Sequence, residues 1–353
     1  MRKIIPTDGH NHKTKKKMKS WKKIILIILG ITLLIAISVL GYFGYQANKS
    51  INNITGEKQS IFDTARSLLP GATNKELKSD DGRTNIVLLG MRGENDPNGG
   101  LLSDSIMIIS IKNDTKQVAM ISIPRDLKIK IPGTQNYGKL NSAHAIGSQQ
   151  KPSQGLQYTM KVLEEMTGLP MHYGISVDFI SFKGIIDALG GITVNAANDF
   201  YDPNYEGGIR VKKGPNDLNS DRALKYVWAR LSTNDFDRSR RQREVLTAIK
   251  DKAQQTGALK NPVFLINILN NLGSHVKTTM TLDELKTTVN TLNELDLNAM
   301  IQKGYDTSAD GPFTSKTEPG IGYVIIPKTG NFNAFQKDIK DIFPTVNTQD
   351  TKK

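Results

Sequence analysis

Five arginines crowd the stretch 226–245, YVWARLSTNDFDRSRRQREV: Arg230, Arg238, Arg240, Arg241 and Arg243, with Asp235 and Asp237 among them. Like charges three or four residues apart on a helix repel by roughly a few tenths of a kcal/mol. Such a face is either fully solvated or built around an anion. On a helix starting near Asp237, the residues Arg238, Arg241, Gln242 and Val245 fall at i, i+3, i+4 and i+7 and share one side. Two guanidiniums and an amide at a helix start, where backbone N–H groups point outward, suit a phosphate. Arg240 and Arg243 point elsewhere and read as solvated surface. Arg230 ends the preceding helix, and a short loop returns the chain beside it. The plainer reading of the whole stretch is a basic surface with Asp235 or Asp237 as an N-cap.

Three further clusters offer compatible chemistry. In SIPRD (122–126), Arg125 follows a strand and a proline, at the strand-end position where mixed sheets bind ligands; a surface Arg125–Asp126 element is the alternative. In LLSDS (101–105), Asp104 opens a buried strand beside the glycine-rich loop GMRGENDPNGG, which adds Glu94 and Asp96. Carboxylates beside an oligophosphate are how Mg²⁺ is usually held, although a lone Asp more often caps a turn. Lys139 and Asn141 in YGKLNSAH stand on another loop as candidate substrate contacts.

The elements that must position these residues follow from periodicity. NIVLLG (85–90) reads as a buried strand, and SIMIISI (105–111) with QVAMISIP (117–124) as a hairpin about KNDTK. Then helices and strands alternate: a helix over 153–167 stopped by Gly168, a strand over 173–178, a helix over 179–189, Gly190-Gly191, and the strand ITVNA. Helices are expected over 220–231, with Ser220 as cap, over 238–255, and over 261–272. Thr281 to Glu284 forms a capping-box pattern that opens another helix. GYVIIP (322–327) is a late strand, and 331–343 a closing helix. The pattern predicts an α/β domain, an α-β-α sandwich with a central mixed sheet.

The 353-residue chain carries a net charge of +13, and residues 1–23 hold nine Lys/Arg against one Asp. After this basic head, residues 24–45 contain no charge and close with Tyr42, Phe43 and Tyr45. As a helix they would reach ~33 Å, enough for a bilayer core of ~30 Å. The charge bias keeps the N-terminus cytoplasmic and places the rest outside. The expected organisation is a basic cytoplasmic tail (1–23), one N-terminal transmembrane helix (24–45), an extracytoplasmic stalk (46–83), a catalytic domain (84–345) and a polar tail (346–353). There is no cysteine, which excludes disulfides and thiolate chemistry. The modest charge of the outer part argues against a nucleic-acid regulator.

Taken together, NIVLLG, LSDSIMIISI, SIPRD, KLNSAHA, VDFISFKGIIDALGGITV, ALKYVWAR and DFDRSRRQ resemble the LytR–CpsA–Psr family of bacterial envelope proteins. The resemblance implies an apolar tunnel for a polyprenyl pyrophosphate, with its head group held by arginines and Mg²⁺. It implies a membrane-anchored phosphotransferase that moves a glycopolymer from that carrier to peptidoglycan through a phosphodiester. Asp104 matches a magnesium aspartate, Arg125 a phosphate arginine, and Arg230, Arg238, Arg241 and Gln242 the head-group cluster. Two positions depart from the family pattern. Met91-Arg92 stands where the family often has an aspartate after the first strand's glycine, with Asp96 the candidate replacement ligand. Trp228-Ala229-Arg230 stands where it often has Arg-x-Arg. A non-catalytic protein that binds polyprenyl pyrophosphate or glycan is the alternative, and a purely structural wall tether a further one.

Overall fold

The computed structural model describes residue 49 and residues 76–344, apart from 99, 205–206, 230–231, 259–267, 269–271, 293, 296 and 298. The apolar run 24–45, Arg230 and nearly all of the expected helix 261–272 lie outside the described residues. Among those described, no helix is long and apolar enough to cross a membrane.

Three strands open the domain: β1 (Arg83–Gly90), β2 (Ser105–Lys112) and β3 (Val118–Ser122), paired antiparallel in sequence order. A small hairpin follows, β4 (Lys128–Lys130) with β5 (Tyr137–Lys139), and then the helices α1 (Ala143–Gln150) and α2 (Gly155–Thr167). Strand β6 (Tyr173–Val177) returns to the sheet parallel to β1, and α3 (Phe179–Ala188) leaves it. A satellite of short strands comes next: β7 (Ile192–Ala196), β8 (Phe200–Asp202), β9 (Ile209–Val211) and β10 (Gly214–Leu218), pairing as β7–β10 and β8–β9. Helices α4 (Ser220–Trp228) and α5 (Asp235–Gln255) follow, then β11 (Val276–Thr278), α6 (Leu282–Leu292), β12 (Ile301–Gly304), the hairpin β13 (Phe313–Glu318) with β14 (Gly322–Pro327), and α7 (Asn333–Lys340). The central sheet runs β11-β6-β1-β2-β3-β12, parallel at β1–β6 and β3–β12 and antiparallel elsewhere.

Strand register decides what each face carries, because residues directly opposite in a ladder share a face. Val87 lies opposite Ile108 and Leu89 opposite Ile106. These four pack with Leu163 and Met166 of α2 and Phe335 of α7. Their neighbours Leu88 and Met107, also opposite each other, turn to the other face and toward α3, α4 and α5. The expected mixed sheet covered by helices on both faces is present.

Caps explain where the helices begin. Asp178 and Ser181 exchange hydrogen bonds in a capping box at the start of α3, and Gly168 closes α2 at φ 68°. The cap of α4 is Asn219, not Ser220, since the Asn219 side chain accepts from the Arg222 N–H at 3.0 Å. Asn234 caps α5 by accepting from the Asp237 N–H at 2.8 Å. The helix therefore starts at Asp235, three residues before the position expected, and neither aspartate is its cap. Thr281 and Glu284 do cap α6 reciprocally, at 2.8 and 3.3 Å. The C-terminal segment completes the core: β12 adds the last strand and α7 packs beside α2.

Candidate active site

The loop 91–104 joins β1 to β2 and is drawn tight by its glycines. The Gly93 N–H donates to the Gly100 carbonyl at 3.0 Å. A Cβ on Gly100 would sit 1.9 Å from the Gly93 oxygen. Gly93 has φ 125° and lies against the Asp178 carboxylate. Only glycine fits either position. The crossing brings Arg92, Asp96 and Asp104 together at the carboxyl end of β1.

Beneath this loop lies a cavity of about 220 Å³, between the sheet and helices α3, α4 and α5. Its walls are apolar: Leu88 and Met107 from the sheet, Phe179 and Phe182 from α3, Leu224 and Val227 from α4, Leu246 and Ile249 from α5. Asp104, Arg238 and Gln242 line the same space and give it a polar end, and Trp228 and Asp178 also border it. Asp178 is engaged on both oxygens, one by the Ser181 N–H at 2.8 Å and one by Nδ1 of His275 at 2.5 Å.

A chain of ion pairs surrounds the polar end. Arg125 Nη1 pairs with Asp104 Oδ1, and Arg125 Nε lies 3.3 Å from Asp235. Arg238 Nη2 is 2.6 Å from that Asp235 oxygen and donates to the Asp104 carbonyl at 3.0 Å. Burial alone would lower the Arg125 guanidinium, but the carboxylates of Asp235, Asp104 and Asp126 outweigh it and hold it above the usual range. Lys139 Nζ pairs with Asp126 at 3.0 Å. An apolar cleft ending in a guanidinium array is shaped for an amphiphile with an anionic head.

A family model described as the LytR_cpsA_psr family matches residues 39–340. The chain belongs to this family. It is 28% identical to the polyisoprenyl-teichoic acid–peptidoglycan teichoic acid transferase TagT of Bacillus subtilis, over 78% of this chain and 83% of that protein. It is 30% identical to the corresponding TagU of Oceanobacillus iheyensis, over 80% of this chain and 84% of that one. The crystal structure of B. subtilis TagV shares the fold, with a TM-score of 0.58 at 24% identity, covering 74% of this chain and 98% of that one.

Within this LytR_cpsA_psr fold the expected residues divide. Asp104, Arg125, Arg238 and Gln242 come together around the polar end of the cavity. Lys139 lies beside them through Asp126. The backbone of Asn141 holds the Arg125 loop, its N–H donating to the Arg125 carbonyl at 2.9 Å. Arg230 is outside the described residues.

The single face expected for 238, 241, 242 and 245 is in fact two. Arg238 and Gln242 continue along the cavity into Leu246 and Ile249. Arg241 continues into the buried Val245 and Ala248. Arg241 is fully buried and donates to the Tyr226 carbonyl at 2.8 Å, the Ala229 carbonyl and Thr233 Oγ1 at 3.2 Å, with the Phe200 ring 4.1 Å away. Burial pulls its pKa down to about 10. Its guanidinium clamps the corner between α4 and α5, and is not among the groups that line the cavity. Arg240 pairs with Glu244 at 2.7 Å. Arg243 is not the solvated residue expected, because its stem carries the guanidinium under the sheet edge to donate to Ser122 Oγ at 2.9 Å.

The residues present do not fit a divalent cation as they are arranged. Magnesium needs carboxylate oxygens and water in near-octahedral order, but a guanidinium stands between the two candidate ligands. Arg92 Nη1 is 3.6 Å from Asp96 Oδ2, and Arg92 Nε is 3.8 Å from Asp104 Oδ2. Among the described residues no group of three His, Cys, Asp or Glu could hold a metal ion. Sequence reasoning missed Arg92, Asp235 and Asp178 as members of this site, together with the α3 wall. The spacing of Phe179, Phe182 and Ile185 at i, i+3 and i+6 was the signal for that wall.

Proposed function

We propose that this chain is a membrane-anchored, extracytoplasmic phosphotransferase that moves a wall glycopolymer, of the teichoic acid class named in its relatives, from a polyprenyl-pyrophosphate carrier to peptidoglycan. The observation that carries this reading is the apolar cavity ending at Arg238, Gln242 and Asp104. The polyprenyl tail enters the cavity and the pyrophosphate meets the guanidiniums. An acceptor hydroxyl on peptidoglycan attacks the phosphorus that bears the glycan. A new P–O bond forms, the bridging P–O bond breaks, and polyprenyl phosphate leaves. Arg238 and Arg125 neutralise charge on the non-bridging oxygens, which is most of what phosphoryl transfer asks of a protein. Asp104, the carboxylate lining the cavity beside them, takes the hydroxyl's proton in this reading once the entering pyrophosphate has drawn the guanidiniums of Arg125 and Arg92 away from it. Arg241 acts at one remove, by holding the corner from which Trp228 and Val227 face the carrier. The uncharged run 24–45 serves as the anchor that keeps this mouth close to the lipid.

One observation favours the second reading, a protein that grips the carrier without turnover: Arg92 stands between the two candidate metal ligands. Turnover separates the two. Full-length protein in detergent is incubated with a short-chain polyprenyl-pyrophosphate-linked sugar and peptidoglycan fragments, with Mg²⁺ or with chelator, and polyprenyl phosphate is measured. Release by the wild type, reduced about 10²-fold or more in Arg238→Ala, is the expected result. Binding with no release above the enzyme-free control would leave only the carrier-binding reading.

A further inference from the structure

Resting on that reading of the cavity, we propose that Arg92 is the resident cation of the head-group site, so that this chain holds a prenyl pyrophosphate without a divalent metal. The loop places the Arg92 guanidinium beside Asp104 and Trp228, which both line the cavity. Its backbone is fixed on either side, where the Met91 N–H donates to the Val177 carbonyl and the Gly93 N–H to the Gly100 carbonyl, both at 3.0 Å. The Arg92 carbonyl in turn accepts from the Phe179 N–H at 3.4 Å. The guanidinium lies 4.8 Å from the centre of the Trp228 ring, and Trp228 itself lines the cavity. A planar cation stacked on an indole keeps its edge N–H groups available for oxygen ligands.

Before a head group enters, the surrounding charges already balance. Arg92, Arg125, Arg238 and Lys139 stand with Asp96, Asp104, Asp126 and Asp235 in one network of ion pairs. Four positive groups thus face four negative ones, and neither Asp96 nor Asp104 presents a carboxylate without a cationic partner. A pyrophosphate enters by taking guanidinium donors from these carboxylates, which an arginine with five N–H groups can share. The two positions that depart from the family pattern, 92 and 228, are therefore one structural unit. Putting a guanidinium where a carboxylate is expected changes the local charge by two units in the positive direction, the same change a divalent cation would make there. The aromatic ring at 228 removes the arginine that would otherwise repel it.

The test is the binding of geranylgeranyl pyrophosphate to the detergent-solubilised full chain, titrated calorimetrically in Mg²⁺ and in chelator. Linkage requires that a cation held together with the head group change the affinity by about fivefold or more, so the wild type should change by less than about twofold. Arg92→Ala should lose about tenfold in chelator. The double variant Arg92→Asp/Trp228→Arg, with thermal melting as the check on its fold, should bind in Mg²⁺ and weaken about fivefold or more when the ion is removed. A wild type that loses fivefold in chelator, or an Arg92→Ala that binds as the wild type does, would overturn the proposal and leave the carrier reading intact. No binding under any condition would overturn both.

Discussion

The two faces of the central sheet are built from the same strands yet finished differently. On one, Val87, Leu89, Ile106 and Ile108 are buried under α2 and α7 with their neighbours in contact. On the other, Leu88 and Met107 look into a cavity of about 220 Å³. Alternation along β1 and β2 puts comparable side chains on both faces, so the strands do not make the difference. The covering helices do. On the cavity side α3, α4 and α5 stand around the space without filling it, and the charged loop lies at its polar end. A closed face supplies stability, and an open one leaves the space that the proposed function gives to a lipid tail.

The contrast predicts where substitutions act, and the largest effect belongs to the cavity's polar end. Arg238→Ala should slow polyprenyl phosphate release by about 10²–10³-fold. Its neighbour Arg241→Ala should act first on folding, because it leaves the Tyr226 and Ala229 carbonyls without their donor, at a cost of about 2–4 kcal/mol. Urea unfolding beside the release assay distinguishes the two, and equal behaviour of both variants would break the division between cavity and corner. On the packed face Leu89→Ala should lose about 2–5 kcal/mol, whereas Leu88→Ala, already beside open space, should lose less than about 1.5 kcal/mol and mainly weaken prenyl binding.

The smallest effect is a pH dependence. His144 in α1 is buried, and burial lowers its pKa from 6.5. Above that value both folded and unfolded chains carry it neutral. As pH falls through 6.5 the unfolded chain takes up the proton first, so stability declines toward the lower folded value. Denaturation midpoints at two pH values on either side should show this slope, and His144→Gln should flatten it.

The parts legible in the sequence are those that local rules decide. Strands β1, β2, β3 and β6 alternate or run apolar between turns, α2 ends at Gly168, and the Thr281–Glu284 box opens α6. Arg125, Asp104, Arg238 and Gln242 were legible as members of one site because strand ends and a helix start are where such residues meet an anion. What local rules do not decide was read less well. Arg238 and Arg241 are three residues apart and similar on a helical wheel, yet one borders a cavity and the other ties down a corner. Only the approach of α4 settles which. Arg92 was noted as a missing aspartate, and its meeting with Trp228 joins residues 136 positions apart. Asn219 and Asn234 outcompeted Ser220, Asp235 and Asp237 as caps by where the loops enter, a property of backbone direction.

The pairing of β12 with β3 has a consequence for how the chain comes to be folded at all. Ile301–Gly304 lies parallel to residues 119–122, almost two hundred positions earlier. Every residue of β3 is buried in the finished molecule. Until residues 301–304 arrive, that strand is an open edge whose unpaired backbone groups can recruit another chain. Closing so distant a contact is slow, and the exposed intermediate is the species that aggregates. A chain cut just before residue 301 would keep five of the six central strands and every side chain that lines the cavity. Its failing would be an adhesive flank and a core face stripped of Phe313, Phe335 and Ile339, which makes the last fifty residues the guardians of solubility during synthesis.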